Sequence, residues 1–123
     1  ALPGLTRAVK LQAKASTVGF DWNDARLVLA KIREEAREIE EALDAGASKE
    51  KVAGEVGDLL FAVANLARHL DADPEAALRT TNAKFERRFA HIEARLAAAG
   101  QTLAEASLEE MDALWNEAKG LEG

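Results

Sequence analysis

Two pairs of acidic residues are the part of this sequence whose types and spacing point most directly to chemistry. Glu35 and Glu38 belong to the pattern E-E-x-x-E, and after sixteen further residues Glu55 and Asp58 form the pattern E-x-x-D. A spacing of i, i+3 places both carboxylates of a pair on one face of a helix. Asp58 also opens a ten-residue run in which Asn65 is the only other polar residue. An ionised carboxylate on so apolar a helix is costly unless a cation or hydrogen-bond donors meet it.

A short turn signal between the two pairs predicts that they face each other. Residues 46–48 read Gly-Ala-Ser, which suits a helix end followed at once by a helix start. Two helices joined by so short a connection lie side by side and antiparallel. Glu38 comes eight residues before Gly46 and Glu55 nine residues after it. The two acidic pairs should therefore lie at the same level along the antiparallel helices. Four facing carboxylates repel one another, so either some are protonated or cations neutralise them.

The chemistry of the donors narrows the choice of cation. All-oxygen ligands select hard cations, and Mg²⁺ is commonly shared between carboxylates and the phosphates of a substrate. Zinc is disfavoured because the sequence has no cysteine and two histidines. A di-iron site needs Glu-x-x-His, whereas the residues three before His69 and His91 are Leu66 and Arg88. The simpler alternative is an acidic helix face that is merely solvated.

Basic residues near the acids allow two interpretations. Lys31 lies one turn before Glu35, and Lys51 lies one turn before Glu55. Either lysine could form an i, i+4 ion pair that has only a structural role. Beside a cation-loaded acid cluster, the same lysines would instead suit contacts with phosphate.

A second basic group lies further along the chain. Lys84 and Arg88 share a helix face and Asn82 is close in sequence, so they form either a solvated face or a phosphate contact. Arg88 is suited to bidentate recognition of a phosphate. Trp22 and Trp115 are typical core residues, but either ring could stack on a nucleobase.

The amino-acid composition limits the classes of protein to which this chain can belong. The 123 residues are 48% apolar and 31% charged, which is ordinary for a globular domain. The formal net charge of −6 argues against a general surface for nucleic acid or membranes. No apolar stretch is long enough to cross a bilayer, and the absence of cysteine suits a reducing, cytoplasmic location. Because the chain begins at Ala1 and continues with Leu-Pro-Gly, we expect residues 1–123 to be a single-domain module of a longer chain.

The hydrophobic periodicity predicts an all-α protein, an antiparallel bundle of about five helices. The expected helices are residues 5–15, 24–45, 49–70, 74–99 and 108–119, with a break near residues 80–82 in the fourth. Expected capping residues are Asn23 or Asp24 for the second helix, Ser48 for the third, Asp73 for the fourth, and Ser107 with Glu110 for the fifth.

Taken together, these motifs resemble a known family. E-E-x-x-E followed by E-x-x-D at this separation is similar to the signature of the all-α nucleoside triphosphate pyrophosphohydrolases, the superfamily of MazG and dimeric dUTPases. The likeness to the C-terminal catalytic domain of bacterial MazG covers nearly the whole chain. It is carried by VGFDW at 18–22, GDLLF at 57–61, NLARH at 65–69 and NAKFERRF at 82–89.

The resemblance implies a fold, an activity and a set of site residues. It implies a four-helix-type core, a homodimer, and Mg²⁺-dependent hydrolysis of an NTP or dNTP to the monophosphate and pyrophosphate, with Mn²⁺ as a substitute. The implied metal ligands are Glu35, Glu38, Glu55 and Asp58, and the implied catalytic residues are Glu34, Glu35 and Glu38, with Glu34 orienting or deprotonating water. The implied substrate contacts are Lys31, Lys51, Asn82, Lys84, Arg88 and Trp115. The alternative from another class is a non-catalytic helical module that binds a partner or a structural cation.

Overall fold

The computed structural model describes residues 2–122, and these residues form helices joined by short connections. The five α-helices are α1 (Gly4–Ser16), α2 (Ala25–Asp44), α3 (Lys49–His69), α4 (Pro74–Ala98) and α5 (Leu108–Leu121), and a 3₁₀ helix spans Leu103–Glu105. No strand occurs within residues 2–122. The predicted all-α class is therefore confirmed. The two end residues of the predicted 1–123 domain lie outside the described part.

Local side-chain chemistry fixes the helix starts that matter for the acids. The Asp24 side chain accepts a hydrogen bond from the Arg26 backbone N–H at the start of α2, and Ser48 accepts one from Lys51 at the start of α3. Between them Gly46 has a φ of +65°, a left-handed conformation that glycine adopts without steric cost. The predicted caps and turn are confirmed, so α3 starts a few residues after α2 ends.

The prediction for α4 was wrong, and one short helix was not predicted. Residues 80–82 were expected to interrupt α4, yet the helix runs unbroken from Pro74 to Ala98. Threonine and asparagine cost a helix only a fraction of a kcal/mol each relative to alanine, about 0.7 at most, and neither glycine nor proline is present there. The unpredicted 3₁₀ helix begins at Thr102, which forms a capping box with Glu105.

The chain divides into two compact units, one that ends at Ala77 and one that begins at Leu78. In the first unit α2 packs along α3, and α1 packs against α3. The buried apolar residues of α1, α2 and α3 are small, namely Ala8, Val28, Ala42, Ala62 and Ala64. Small residues allow helices to approach closely, which brings the polar side chains of α2 and α3 near each other. Leu43 is exposed near the end of α2.

The second unit contains the rest of α4, the 3₁₀ helix and α5. Ile92, Leu96 and Ala118 are buried there. The Phe85 and Phe89 rings stack with centroids 5.9 Å apart, and Phe85 also contacts Trp115 at 5.5 Å. Aromatic and apolar side chains of α4 therefore pack within the second unit.

A search of the described helices found none with the length and apolar character that crossing a membrane requires.

Candidate active site

The α2 side of the site is built around Glu35. Its residue surface is 6% exposed, and it is one of the most deeply buried charged side chains in the described chain. Lys31 lies one turn earlier, with its Nζ 3.2 Å from Glu35 Oε1. That hydrogen bond is the main reason that the pKa of Lys31 is raised. The other oxygen, Oε2, is buried and has no hydrogen-bond partner in residues 2–122.

The α3 side repeats the same arrangement at Glu55. Lys51 Nζ lies 3.2 Å from Glu55 Oε1, again across one helical turn. Oε2 of Glu55 is also buried and lacks a hydrogen-bond partner within the described chain. Asp58, one turn further along α3, is exposed. The sequence had pointed to Asp58 as the buried charge, but the structure buries Glu35 instead.

Three carboxylates converge where α2 and α3 meet. One oxygen each from Glu35, Glu55 and Asp58 lies within 4.8 Å of the others. We refer to these three residues as the carboxylate cluster. Two buried carboxylate oxygens without partners are costly in the isolated protein. A hard divalent cation would satisfy them, and the all-oxygen donor set fits Mg²⁺.

Glu38 lies beside the carboxylate cluster but is not a member of it. Its pKa is raised, first by the negative charge of Glu35, then by desolvation, and then by the charge of Glu55. These causes place Glu38 within electrostatic reach of both helices. Glu34 is half exposed and forms an ion pair with Lys31 at 3.4 Å. The structure therefore groups the predicted acids on one side of the α2–α3 pair, while their roles as ligands and catalysts stay predictions.

A cavity of about 210 Å³ opens beside the carboxylate cluster. Glu35, Asp58 and Lys31 line one part of it, and Trp22, Phe61 and Asn65 line another. The site thus has a charged end and an aromatic end within one unit of the chain. That is the pattern of a small-molecule site, in which apolar walls carry a few placed polar groups.

Sequence reasoning missed a polar network at the aromatic end. Arg68 Nη2 donates to Asp21 Oδ1, and His69 Nε2 lies 3.0 Å from the same oxygen. Arg68 also donates to Asn65 Oδ1 from Nε at 3.1 Å and from Nη2 at 2.9 Å. The hydrogen bond from Arg68 is the main cause that lowers the pKa of Asp21. The network ties the segment before α2 to the end of α3, and the signal for it was Asn65, a lone polar residue in an apolar run.

The remaining predicted substrate contacts lie in the second unit. Arg88 donates to both carboxylate oxygens of Glu122, with Nε 3.1 Å from each and Nη2 3.0 Å from Oε2. Its guanidinium also lies over the Trp115 ring, 5.1 Å from the centroid. Lys84 is half-buried and Asn82 is exposed. The pairing of Arg88 with Glu122, which holds the pKa of that carboxyl below its usual range, was not foreseen from sequence.

Comparison with known protein families identifies the family to which the chain belongs. The family model described as the MazG nucleotide pyrophosphohydrolase domain matches residues 23–93. The chain belongs to this family. The matched MazG residues include all of α2 and α3, and therefore the carboxylate cluster, Glu34, Glu38 and both lysines. Lys84 and Arg88 also fall inside the match, whereas Trp115 lies beyond it.

Curated relatives agree with the MazG assignment. The nucleoside triphosphate pyrophosphohydrolase/pyrophosphatase MazG of Thermotoga maritima is 44% identical over 119 residues, which is 97% of this chain. The nucleoside triphosphate pyrophosphohydrolase of Escherichia coli K12 is also 44% identical, over 96% of this chain. The chain spans 45% of the length of each of these two relatives. An uncharacterised Bacillus subtilis protein, YabN, is 54% identical over 68 residues, or 55% of this chain and 14% of its own length.

Proposed function

We propose that this chain hydrolyses nucleoside triphosphates, ribo or deoxyribo, to a nucleoside monophosphate and pyrophosphate in a Mg²⁺-dependent reaction. Water is the second reactant, so one phosphoanhydride bond is broken and no redox partner is required. The observation that carries the proposal is the carboxylate cluster, with two buried oxygens that have no partner, in a member of the MazG family. The names of the two full-length relatives support the same reaction.

The acids of α2 and α3 would hold the cation. Glu35, Glu55 and Asp58 offer oxygens close enough to share one ion, and Glu38 is the fourth proposed ligand. When bound, Mg²⁺ neutralises charge on phosphate oxygens and lowers the pKa of a bound water. Mn²⁺ prefers the same oxygen donors and is expected to substitute.

The residues around the acids would bind the polyanion and handle protons. Lys31 and Lys51 place positive charge directly beside the carboxylate cluster, which offsets its repulsion of a triphosphate. Glu34 keeps half of its side chain exposed, so its carboxylate can accept a hydrogen bond or a proton from water. Glu35 is fixed by Lys31 and would act together with Glu38 in this role.

Arg88 is the best supported of the proposed substrate contacts in the second unit. Its guanidinium donates hydrogen bonds to the two carboxylate oxygens of Glu122, and a phosphate presents oxygens with a similar separation. Trp115 holds one face of that guanidinium by a cation–π contact. Asn82 and Lys84 stay predictions as further contacts with the nucleotide.

Two finer features belong to the same proposal. We expect a homodimer, because α3 exposes the large apolar residues Val56, Leu60 and Val63. A cytoplasmic location is expected from the bacterial relatives and the substrate class.

Release of pyrophosphate from a panel of NTPs and dNTPs tests the proposal. The protein with Mg²⁺ should release pyrophosphate and monophosphate in equal amounts from at least one nucleotide, and EDTA should abolish the release. Cation binding without turnover across the whole panel would instead favour the alternative, a non-catalytic module that carries a structural cation.

A further inference from the structure

Two adjoining cavities in the first unit share the walls formed by Trp22, Phe61 and Asn65. The first, of about 210 Å³, reaches the carboxylate cluster through Glu35 and Asp58. The second, of about 130 Å³, extends away from the acids and is also lined by Gln12 and Arg68. A ligand held at the acids would therefore have a neighbouring space with aromatic walls.

Asn65 presents an unpaired donor at the junction of these cavities. The residue is 3% exposed, and its Oδ1 accepts two hydrogen bonds from Arg68. A guanidinium has only donors, so the amide must direct its oxygen towards Arg68. Nδ2 is left without a hydrogen-bond partner in the described chain, and Asn65 lines both cavities. Nδ2 is not one of the fully buried side-chain atoms that lack a partner, so a ligand or water in the cavities can reach it and accept a hydrogen bond from it.

Gln12 presents an unpaired acceptor, and the orientation of its amide follows from its hydrogen-bond partner, as for Asn65. It is 7% exposed, and its Nε2 donates to the Phe61 carbonyl oxygen at 2.9 Å. A carbonyl oxygen only accepts, so the orientation of the Gln12 amide is also determined. Its Oε1 is buried without a partner in residues 2–122. The second cavity is therefore bordered by one unpaired donor and one unpaired acceptor.

We infer that these cavities receive the nucleobase of the substrate, stacked on Trp22, with Asn65 donating to the base edge and Gln12 accepting from it. This inference rests on the proposed function and adds the subsite that discriminates bases. Asparagine and glutamine amides are suited to pair with the acceptors and donors on a base edge. The edges differ, because adenine and cytosine carry an amino donor where guanine and uracil carry a carbonyl acceptor. Trp22 is 42% exposed, so its ring is accessible for stacking.

The residues that line the cavities favour a base over a phosphate or a sugar as the bound group. Among the described residues, Arg68 is the one cationic side chain that lines the second cavity, and it is already paired with Asp21 and Asn65. A phosphate would thus lack a free positive charge there. The aromatic walls match a flat ring, whereas a ribose would leave the Trp22 face without a stacking partner. The acids at the far end of the first cavity suit the triphosphate, so the order from phosphate to base follows the two cavities.

Competition between a nucleotide and inorganic tripolyphosphate tests the inference, because tripolyphosphate has neither base nor sugar. In Trp22→Ala, we expect the KM for the preferred NTP to rise roughly 5- to 150-fold, the range of aromatic–base stacking. The inhibition constant of tripolyphosphate should stay within about twofold of wild type. Leu27→Ala is the matched control, because Leu27 is 48% exposed in the same unit and lines neither cavity. An unchanged KM, or an equal rise of both constants, overturns the inference.

Asn65→Asp is the second variant and does not depend on the survival of the Trp22 variant. The substitution keeps the oxygen that Arg68 binds and replaces only the free donor with an acceptor. Guanine and uracil, whose carbonyl oxygen would accept from the amide, should lose about tenfold or more in kcat/KM relative to adenine and cytosine, whose amino group can donate to the new carboxylate. A uniform loss across all four bases would mean that Asn65 acts only on structure. Wild-type protein that cleaves no NTP would refute the proposed function itself, whereas active wild type with unaffected variants refutes only the base subsite.

Discussion

Lys31 and Glu35 form an ion pair that uses one carboxylate oxygen and leaves the other free. Nζ lies 3.2 Å from Oε1, while Oε2 is buried without a hydrogen-bond partner in residues 2–122. The pair Lys51–Glu55 repeats this arrangement on α3. Each lysine thus fixes the rotamer of a glutamate and partly balances its charge, while one oxygen per glutamate stays available for a cation. A structural ion pair and a binding site are therefore compatible at these positions.

Replacing Asp58 should abolish catalysis without unfolding the protein. Asp58 is exposed at the edge of the carboxylate cluster, so Asp58→Asn removes the charge of a proposed ligand with little effect on packing. Because charge stabilisation by a cation is worth several kcal/mol, kcat/KM for pyrophosphate release should fall by about 100-fold or more.

Thermal melting gives an independent measure of the same variant. Saturating Mg²⁺ at about 100 times its Kd should stabilise wild type by about 2.7 kcal/mol, and Asp58→Asn much less. The exposed acid Glu41, on α2 outside the cluster, provides the control Glu41→Gln, which should behave as wild type. Full activity or full Mg²⁺ stabilisation in Asp58→Asn would rule out Asp58 as a ligand.

Glu38→Gln should stabilise the protein when divalent cations are absent. The pKa of Glu38 is raised above its ordinary 4.5, mainly by the charge of Glu35. Ionisation of Glu38 therefore opposes folding, and this penalty grows as pH rises from the unfolded pKa through the higher folded pKa. In EDTA, the melting temperature of the variant should exceed that of wild type at pH 7, and the difference should vanish near pH 4. A variant that is less stable than wild type in EDTA at pH 7 contradicts this picture.

Asp21→Asn should show the opposite pH dependence. Hydrogen bonding to Arg68 is the main cause that lowers the pKa of Asp21 from 3.8, so its ionised form stabilises the folded state. That contribution is complete above the unfolded pKa and is lost as pH falls through the lower folded pKa. Since the pair is partly solvated, the loss at pH 7 should be about 1 kcal/mol or less by chemical denaturation, and it should shrink towards pH 2. Asp44→Asn, an exposed acid at the end of α2, controls for the general loss of a charge.

Gly46→Ala should destabilise the turn between the acid-bearing helices. The φ of Gly46 is +65°, and an added Cβ would meet nothing within 4 Å, so the cost comes from the backbone alone. We expect a loss of about 1 kcal/mol in the free energy of unfolding. Gly54, inside α3 and equally unobstructed, gives a control of opposite sign. Gly54→Ala should stabilise by about 0.5 to 1 kcal/mol, and a similar gain in Gly46→Ala would show that the turn tolerates a side chain.

Short-range chemistry made much of the fold predictable. Asp24, Ser48 and Ser107 cap the helices where the sequence placed them, because a cap depends on residues within one turn. The i, i+3 and i, i+4 spacings also indicated which acids and lysines share a helix face. The turn at Gly46 predicted the approach of α2 and α3, and with it the proximity of Glu35 to Glu55 and Asp58.

Contacts between segments distant in sequence could not be foreseen in this way. Nothing in the local sequence shows that Arg68 reaches Asp21, that Gln12 meets the Phe61 carbonyl, or that Arg88 pairs with Glu122. The burial of Glu35 rather than Asp58 also depends on how α2 rotates against α3, and periodicity leaves this angle open. The misplaced break in α4 has another cause, since weak helix propensity was given more weight than the continuous helix around it.

The turn at Gly46 also bears on how the protein reaches its folded state. The carboxylate cluster and both lysines fall within residues 31–58, which form two helices joined by one short connection. Closing so short a loop costs little chain entropy, and contacts that are near in sequence form early and fast. We therefore expect the acids to converge before distant segments of the chain meet. The site proposed for the cation would then form early in folding, from one pair of neighbouring helices.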